Sequence, residues 1–340
     1  MASDAEKLGR TVVIDYGSSA IKAGRARDVP SENALSCITP SVVEVRPPGS
    51  DAAAACAPGG GPWPRSEVVR RGRVFDIDQF EALLHHVLYD RMGWRHGRED
   101  ALVVVEPVLA SRAEREAIAQ LAFEAFGVRG YFVCDAAACS LYTCNKQAGL
   151  SVDVGHGKAV VAAVAEGATH AASAAAAADK QQQQDPRGHE AAWRAARRAF
   201  TLPDGQTLEL AGDEGYRLGE ALVRPATAGL AAPALAELCC DVVGRVPEPA
   251  ARRGVWDAVL VCGGGGTMPG LKERLLDELP LFAPPSASFG AAALPNYLPP
   301  DARAHAAWVG GAVLSRVALH QMVTPNEYSE YGPAVINRII

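Results

Sequence analysis

The 340-residue sequence contains no apolar run approaching the ~18–20 residues needed to cross a membrane, so no transmembrane helix is expected. It also lacks a basic excess. Its 33 Lys and Arg are outnumbered by 39 Asp and Glu, and the formal net charge of −6 argues against a protein that wraps nucleic acid through phosphates. Any DNA contact is expected to be local or indirect. The eight cysteines form no Cys-x-x-Cys pair, which points away from zinc and disulfide frameworks and toward a reducing compartment, cytosol or nucleus. The opening MASDAEKLGR has no apolar signal-peptide core. Two common nucleotide-binding templates are missing as well. No Gly-x-x-x-x-Gly-Lys-Ser/Thr occurs, and the glycine cluster at 263–266 fails the dinucleotide spacing because Met268 and Pro269 stand where a third glycine is required.

The bulk composition, 49% hydrophobic and 21% charged, is ordinary for a folded chain long enough to make two lobes. Two short stretches organise it: residues 12–24 read VVIDYGSSAIKAG and residues 150–157 read LSVDVGHG. In each, an apolar run with β-branched residues predicts a strand that ends in an acid, Asp15 or Asp153, and passes into a glycine-containing turn. Gly17 after the first acid, and Gly155 and Gly157 after the second, allow a sharp turn that brings N–H groups against an anion. An Asp at such a strand end can hold a hydrated divalent cation that bridges phosphates. Lys22 can reach back to a phosphate as a point charge. The repetition predicts a duplicated two-lobed fold whose hairpins grip a nucleoside polyphosphate from opposite sides.

With its continuation, the first stretch resembles actin and the actin-related proteins. Asp15, Gly17, Ser18, Lys22, Ala23, Gly24, Asp28 and Pro40-Ser41 match the family's opening strand, turn and second strand. A predicted helix over 78–92, capped by Asp76 or Asp78, carries His85-His86 and Tyr89 in the family pattern. Adjacent histidines project ~100° apart on a helix, so packing rather than joint metal binding is expected there. A buried strand over 101–109 exits through Glu106-Pro107 to Ser111 and Glu114, read as a capping box. A strand over 130–134 follows, then a helix ending in Ser140-Leu141-Tyr142. Gly219-Glu220-Ala221-Leu222, a strand over 255–262, the loop GGGGTMPG, helices over 235–243 and 271–279, and the tail from Trp308 to Pro333 continue the likeness. Gly93-Trp94 and the run from Val154 to Lys158 look like a nuclear plant branch of the family.

The resemblance implies an α/β, actin-like ATPase fold: duplicated ribonuclease-H-like lobes around a nucleotide cleft, with one small subdomain largely missing. On that plan residues 1–43, 68–143 and 305–340 form the first lobe, and 144–170 with 230–304 form the second. Residues 44–67, rich in Pro, Gly and Ala, are expected to be a loop or disordered insert. They lack the strand–turn–strand character of the lobe that joins actin subunits, which makes filaments unexpected. Residues 171–229 are expected to be a truncated remnant with an Ala- and Gln-rich linker, a short helix over 190–200 and a Leu-Pro-Asp-Gly turn at 202–205.

The likeness also implies a site. ATP with Mg2+, bound weakly or not at all, would lie against Asp15, Gly17, Ser18, Lys22, Asp153, Gly155, Gly157, Gly263 and Gly264, with Asp15 and Asp153 meeting the metal through water. Met268 stands where the family stacks a Tyr on the purine. The family's two water-positioning side chains, a Gln and a His, fall on Ala136 and Val160, neither of which can hydrogen-bond a water. No ATPase activity is expected. By resemblance, the chain is a non-catalytic subunit of a nuclear chromatin-remodelling complex. It would clamp a long helix of the motor ATPase in a groove lined by Tyr142, Val317 and Met322, beside a second actin-related protein. Ordinary core packing of those three residues is an equally open reading. The nucleus is the expected location, with the cytoplasm open. An active actin-like ATP-binding protein, cytoskeletal or enzymatic, is the alternative.

Overall fold

The computed structural model describes residues 3–26, 35–45, 55–56, 64–97, 101–176, 198–201, 206–210 and 214–339. The expected features at Asp28, in most of the 44–67 insert, in the Gln-rich linker and at the 202–205 turn lie outside these residues.

The β-branched run at the start of the chain forms β1, Thr11–Tyr16, buried along its whole length. Gly17 N–H donates to Ala20 O at 3.1 Å and turns the chain into the antiparallel β2, Ala20–Arg25. Next comes β3, Cys37–Pro40, antiparallel to β2. On its other side β1 pairs in parallel with β4, Ala101–Glu106, which pairs in parallel with β5, Tyr131–Asp135. The sheet order is therefore β5-β4-β1-β2-β3. Both of its faces are covered, so β1 and β4 read as continuous apolar runs rather than alternating ones. Val12, Ile14, Leu102 and Val104 pack under helices α1, Ile77–His85, and α2, Arg112–Gln120.

Local chemistry sets the ends of these helices. Asp76 caps α1, accepting from the N–H groups of Asp78 and Gln79, and Gly93 ends the continuing helical turns at φ +64°. Ser111 accepts from Glu114 N, but Glu114 does not return the bond. Its carboxylate accepts instead from Val74 N at 3.0 Å and from the Tyr16 hydroxyl at 3.4 Å. The expected capping box is only half made, because the acid ties β1 to the 69–74 hairpin.

From β5 the chain enters α3, Ala136–Tyr142, capped by Asp135. The second lobe then repeats the first. β6, Gly149–Val154, pairs antiparallel with β7, Lys158–Ala165, which pairs with β8, Ala168–Ala176; on the far side β6 runs parallel to β9, Val259–Cys262. The order β8-β7-β6-β9 matches β3-β2-β1-β4. Registers match too: Asp15 lies opposite Lys22, and Asp153 opposite Val160. Helices α4, Glu214–Val223, α5, Leu235–Gly244, α6, Pro249–Trp256, and α7, Leu271–Glu278, belong to this lobe. The chain returns to the first lobe through α8, Ala306–Ala318, and ends with α9, Pro325–Tyr331.

Four expectations need correction. The 44–67 insert is not strandless: Val42–Val45 pairs with both Ala55–Cys56 and Arg65–Glu67, because the valine-rich strand templates its neighbours through backbone bonds. The absence of strands there no longer argues against filaments. The alanine-rich stretch after Gly167 is β8, so the second-lobe sheet runs past residue 170 to Ala176. Positive φ at Glu166 (53°) and Gly167 (80°) gives the tight hairpin turn whose twist suits paired strands. The helix expected over 190–200 lies mostly outside the described residues, but Arg198–Thr201 is a strand paired with Thr207–Leu210. In the 255–262 stretch, Val255 and Trp256 complete α6 and the strand begins only at Val259.

The lobes are joined where α3 crosses α8. Thr143 Oγ1 donates to Ala306 O at 2.6 Å, and a Cβ built on Gly310 would fall 1.6 Å from Cys139 O. A Cβ on Gly311 would meet Val105 Cγ2 at 2.4 Å, and Trp308 Nε1 donates to Val13 O at 3.0 Å. The Gly-Gly pair thus seats α8 against α3 and the first sheet together. Gly310→Ala should cost about 3 kcal/mol through forced separation of the two helices, read as a lowered urea midpoint with an unchanged slope.

Candidate functional site

The two acid-tipped hairpins converge. Lys22 Nζ lies 2.7 Å from Asp15 Oδ2, bridging the register-paired ends of β1 and β2. Burial works against the Lys22 ammonium, but the Asp15 carboxylate, helped by Asp153, outweighs it and holds the pKa above the ordinary lysine value. Asp153 is the mirror case: burial raises its pKa, the Lys22 charge lowers it, and Asp15 raises it again. Two carboxylates from opposite lobes therefore share the field of one lysine.

The turns meet as closely as the acids. Ser18 Oγ accepts from Gly72 N at 2.8 Å, and a Cβ on Gly157 would fall 3.3 Å from that same oxygen and 3.4 Å from Arg71 Cα. Gly155 N donates to Lys158 O at 3.0 Å, closing the second hairpin. Gly263, at φ +82°, runs beside Asp153: a Cβ there would fall 2.0 Å from Asp153 Oδ1. Gly17 shapes the first turn, and Ser41 Oγ donates to its carbonyl at 2.6 Å. The structure thus brings together Asp15, Gly17, Ser18, Lys22, Asp153, Gly155, Gly157 and Gly263, while a Cβ on Gly264 would meet nothing within 4 Å. Among the described residues no cluster of three or more His, Cys, Asp or Glu could hold a metal ion. Asp15 and Asp153 fit a hydrated Mg2+, which needs only one or two carboxylates alongside phosphate oxygens.

The family model described as Actin matches residues 7–178 and 172–340. The chain belongs to the actin family. It is 31% identical over 370 aligned residues to "Actin-related protein 7" of Arabidopsis thaliana, covering 96% of this chain and 98% of that protein. The same figures hold for "Actin-related protein 7" of Oryza sativa subsp. indica. "Actin-like protein 7B" of Homo sapiens is 28% identical over 277 residues, covering 70% of this chain and 65% of that one. The duplicated sheets are those of an actin-like ATPase fold. Within the family, this chain is an actin-related protein similar to the plant relatives named above.

Met268 Sδ lies 3.2 Å from where a Cβ on Gly219 would sit, so the loop at 263–270 packs directly on α4. Glu220 accepts from Arg274 Nη2 at 3.3 Å; buried Glu278 takes Arg274 Nε at 2.7 Å and Arg224 Nη2 at 2.8 Å. Ala136 is the first residue of α3, and Val160 is a buried strand residue opposite Asp153. His85 stacks on Tyr89 at 4.4 Å while His86 bonds Asp90 at 2.8 Å, so these rings face different partners.

The expected groove residues spread along α8. Cys139 against Gly310 and Thr143 against Ala306 make α3 and α8 antiparallel, which puts Tyr142 toward the start of α8, beside the turn at Gly167. Val317 is 67% exposed near the other end, one turn beyond Val313. Met322 is partly buried against the first lobe and borders a cavity with Val323, Glu327, Val335, Arg338 and Ile339. A groove containing Tyr142 and Val317 would have to run about 15 Å along the helix.

Sequence reasoning missed Lys158. It stood in a quoted motif, but only the fold shows its side chain crossing to the first lobe: Nζ and Cε lie 2.8 Å from the place of a Cβ on Gly72, which would also meet Pro107. Burial lowers its pKa below the ordinary 10.5, with Asp153 and Glu114 opposing and Arg73 assisting. A lysine with a lowered folded pKa destabilises the fold below that pKa, and the penalty fades as pH rises toward 10.5. Lys158→Met should therefore raise the melting temperature at pH 7, with the gain shrinking by pH 10.5, as thermal scans across pH would show.

Proposed function

We propose that this actin-related protein is a non-catalytic scaffold subunit of a nuclear chromatin-remodelling complex, with weak or absent ATP binding. The observation that carries the loss of hydrolysis is at the cleft wall: Ala136 and Val160 present only carbon where a water would have to be oriented. General-base or positioning groups contribute factors of ~10²–10⁴, so their absence leaves little turnover. The packed Met268–Gly219 contact and the engaged Glu220 support weak nucleotide retention.

The partner is a long helix of the remodelling motor. Val313 and Val317 form an exposed i, i+4 apolar stripe on α8, the kind of surface an amphipathic helix covers. Tyr142 and Met322 extend that lining toward the two ends, and a second actin-related protein sits alongside. Net charge of −6 favours contact with protein over direct contact with DNA.

Full-length protein used as bait in plant nuclear extract should recover a remodelling motor ATPase identified by mass spectrometry. Val317→Asp should lose that capture without moving the unfolding midpoint, because the side chain is 67% exposed. Filament formation, or steady ATP turnover by the purified chain, would overturn this reading in favour of an active actin-like protein.

A further inference from the structure

We propose that the exposed face of the hairpin at 69–74, with Phe75 beside it, is a docking surface for a short acidic segment of a partner protein. This goes beyond the scaffold reading and does not depend on it.

The hairpin sets like charges against one another at a cost to the fold. Its two strands, Val69–Arg70 and Arg73–Val74, pair antiparallel, with Val69 opposite Val74 and Arg70 opposite Arg73. Opposed side chains share a face, and successive residues alternate between faces. The valine pair packs on the first-lobe core, and the arginine pair is exposed. Directly opposed residues have Cα atoms about 4.5–5.5 Å apart, so the two guanidinium groups repel. The turn adds a third charge. Arg71 is exposed and holds φ +51°, followed by Gly72 at +71°. Asn or Asp before Gly is the usual choice for such a turn, and an arginine there is strained. Behind the turn Lys158 packs on Gly72, and the Arg73 charge helps to hold its pKa down. Residues 69–74 contain no acid. Arg70 reaches Glu67 at 3.9 Å through two exposed side chains, and Arg73 makes no ion pair among the described residues. Glu114 spends its carboxylate on Val74 N and the Tyr16 hydroxyl.

Next to these charges stands an apolar group that the described residues leave open. Phe75 is 70% exposed, and the Arg70 guanidinium lies over its ring, 4.3 Å from the centroid. The stack fixes the guanidinium plane while its N–H edge stays available to a carboxylate. Acids at alternate positions of an extended peptide lie ~7 Å apart on one face, within the span of two arginines on opposed strands. Apolar residues beside those acids would cover the Phe75 ring. Charge selects protein over nucleic acid. Three arginines neutralise about three phosphates, and a long polyanion would run past them onto a molecule of net charge −6. A short acidic segment ends where the patch ends.

Fluorescence anisotropy of the full chain tests this with three labelled probes: a peptide alternating Glu and Leu, the same peptide with Gln for Glu, and a short DNA duplex. The Glu peptide should bind, and the Gln peptide should bind at least about tenfold more weakly. Arg70→Ala and Arg73→Ala should each weaken the Glu peptide about tenfold, and Phe75→Ser about fivefold. Arg73→Ala removes one side of a repelling pair and should melt no lower than the parent, so its loss of binding is not a loss of structure. Absence of Glu-peptide binding, equal binding of the two peptides, or indifference to both arginine substitutions would overturn the proposal. Tighter binding of the duplex than of the Glu peptide would do the same, as would a lowered melting temperature of Arg73→Ala. Capture of a remodelling motor by the parent chain is a separate readout, so either reading can fail alone.

Discussion

At Gly310 the backbone of α8 comes so close to Cys139 O that a single carbon would not fit between them. That approach, with Gly311 against Val105 and Trp308 bonded to Val13, binds α8 to the first sheet and to the helix leading into the second lobe. Each lobe has its own core: one set of side chains lies under α1 and α2, another between β6, β7 and α5. What those cores do not specify is how the lobes face each other. The α3–α8 crossing supplies that, and the spacing of Ser18, Gly72 and Gly157 follows from it.

The cleft shows how a duplicated fold builds its two hairpin tips from turns that the backbone itself requires. Both hairpins retain the acid at the strand end and the glycine turn, because those features also shape the fold: Gly17 and Gly155 close the turns by backbone bonds. Opposite Asp153 the second hairpin carries Val160, a buried strand residue with no hydrogen-bonding side chain. Between α4, α7 and the glycine loop lie arginine–carboxylate pairs and Met268.

Legibility in the sequence followed the local strength of the signal. Asp76 as a cap and the β-branched β1 were readable because each depends on neighbours within a few residues. The alanines of β8 were not: a low-complexity run has no period, and it becomes a strand only because β7 offers it a ladder. Ala55–Cys56 is the same case against Val42–Val45. Glu114 looked like the partner of Ser111, and the distant Val74 and Tyr16 claimed its carboxylate. At the hairpin tips, Asp15 and Asp153 were legible from repetition and Lys22 from its spacing past Asp15. Lys158 and Glu220 were not, since their importance lies in neighbours far away in sequence.

By itself the sequence determined the duplicated strand–acid–turn units, the family, and the carbon side chains at 136 and 160, all of which are properties of residue type and spacing. Only the tertiary structure decided that Asp15 and Asp153 share the field of Lys22, that Lys158 crosses between lobes, and that Met268 closes on Gly219. The reason is range. Turn and strand preferences act over a few residues, whereas a charge or a packing contact acts through space and exists only once the lobes have been brought together.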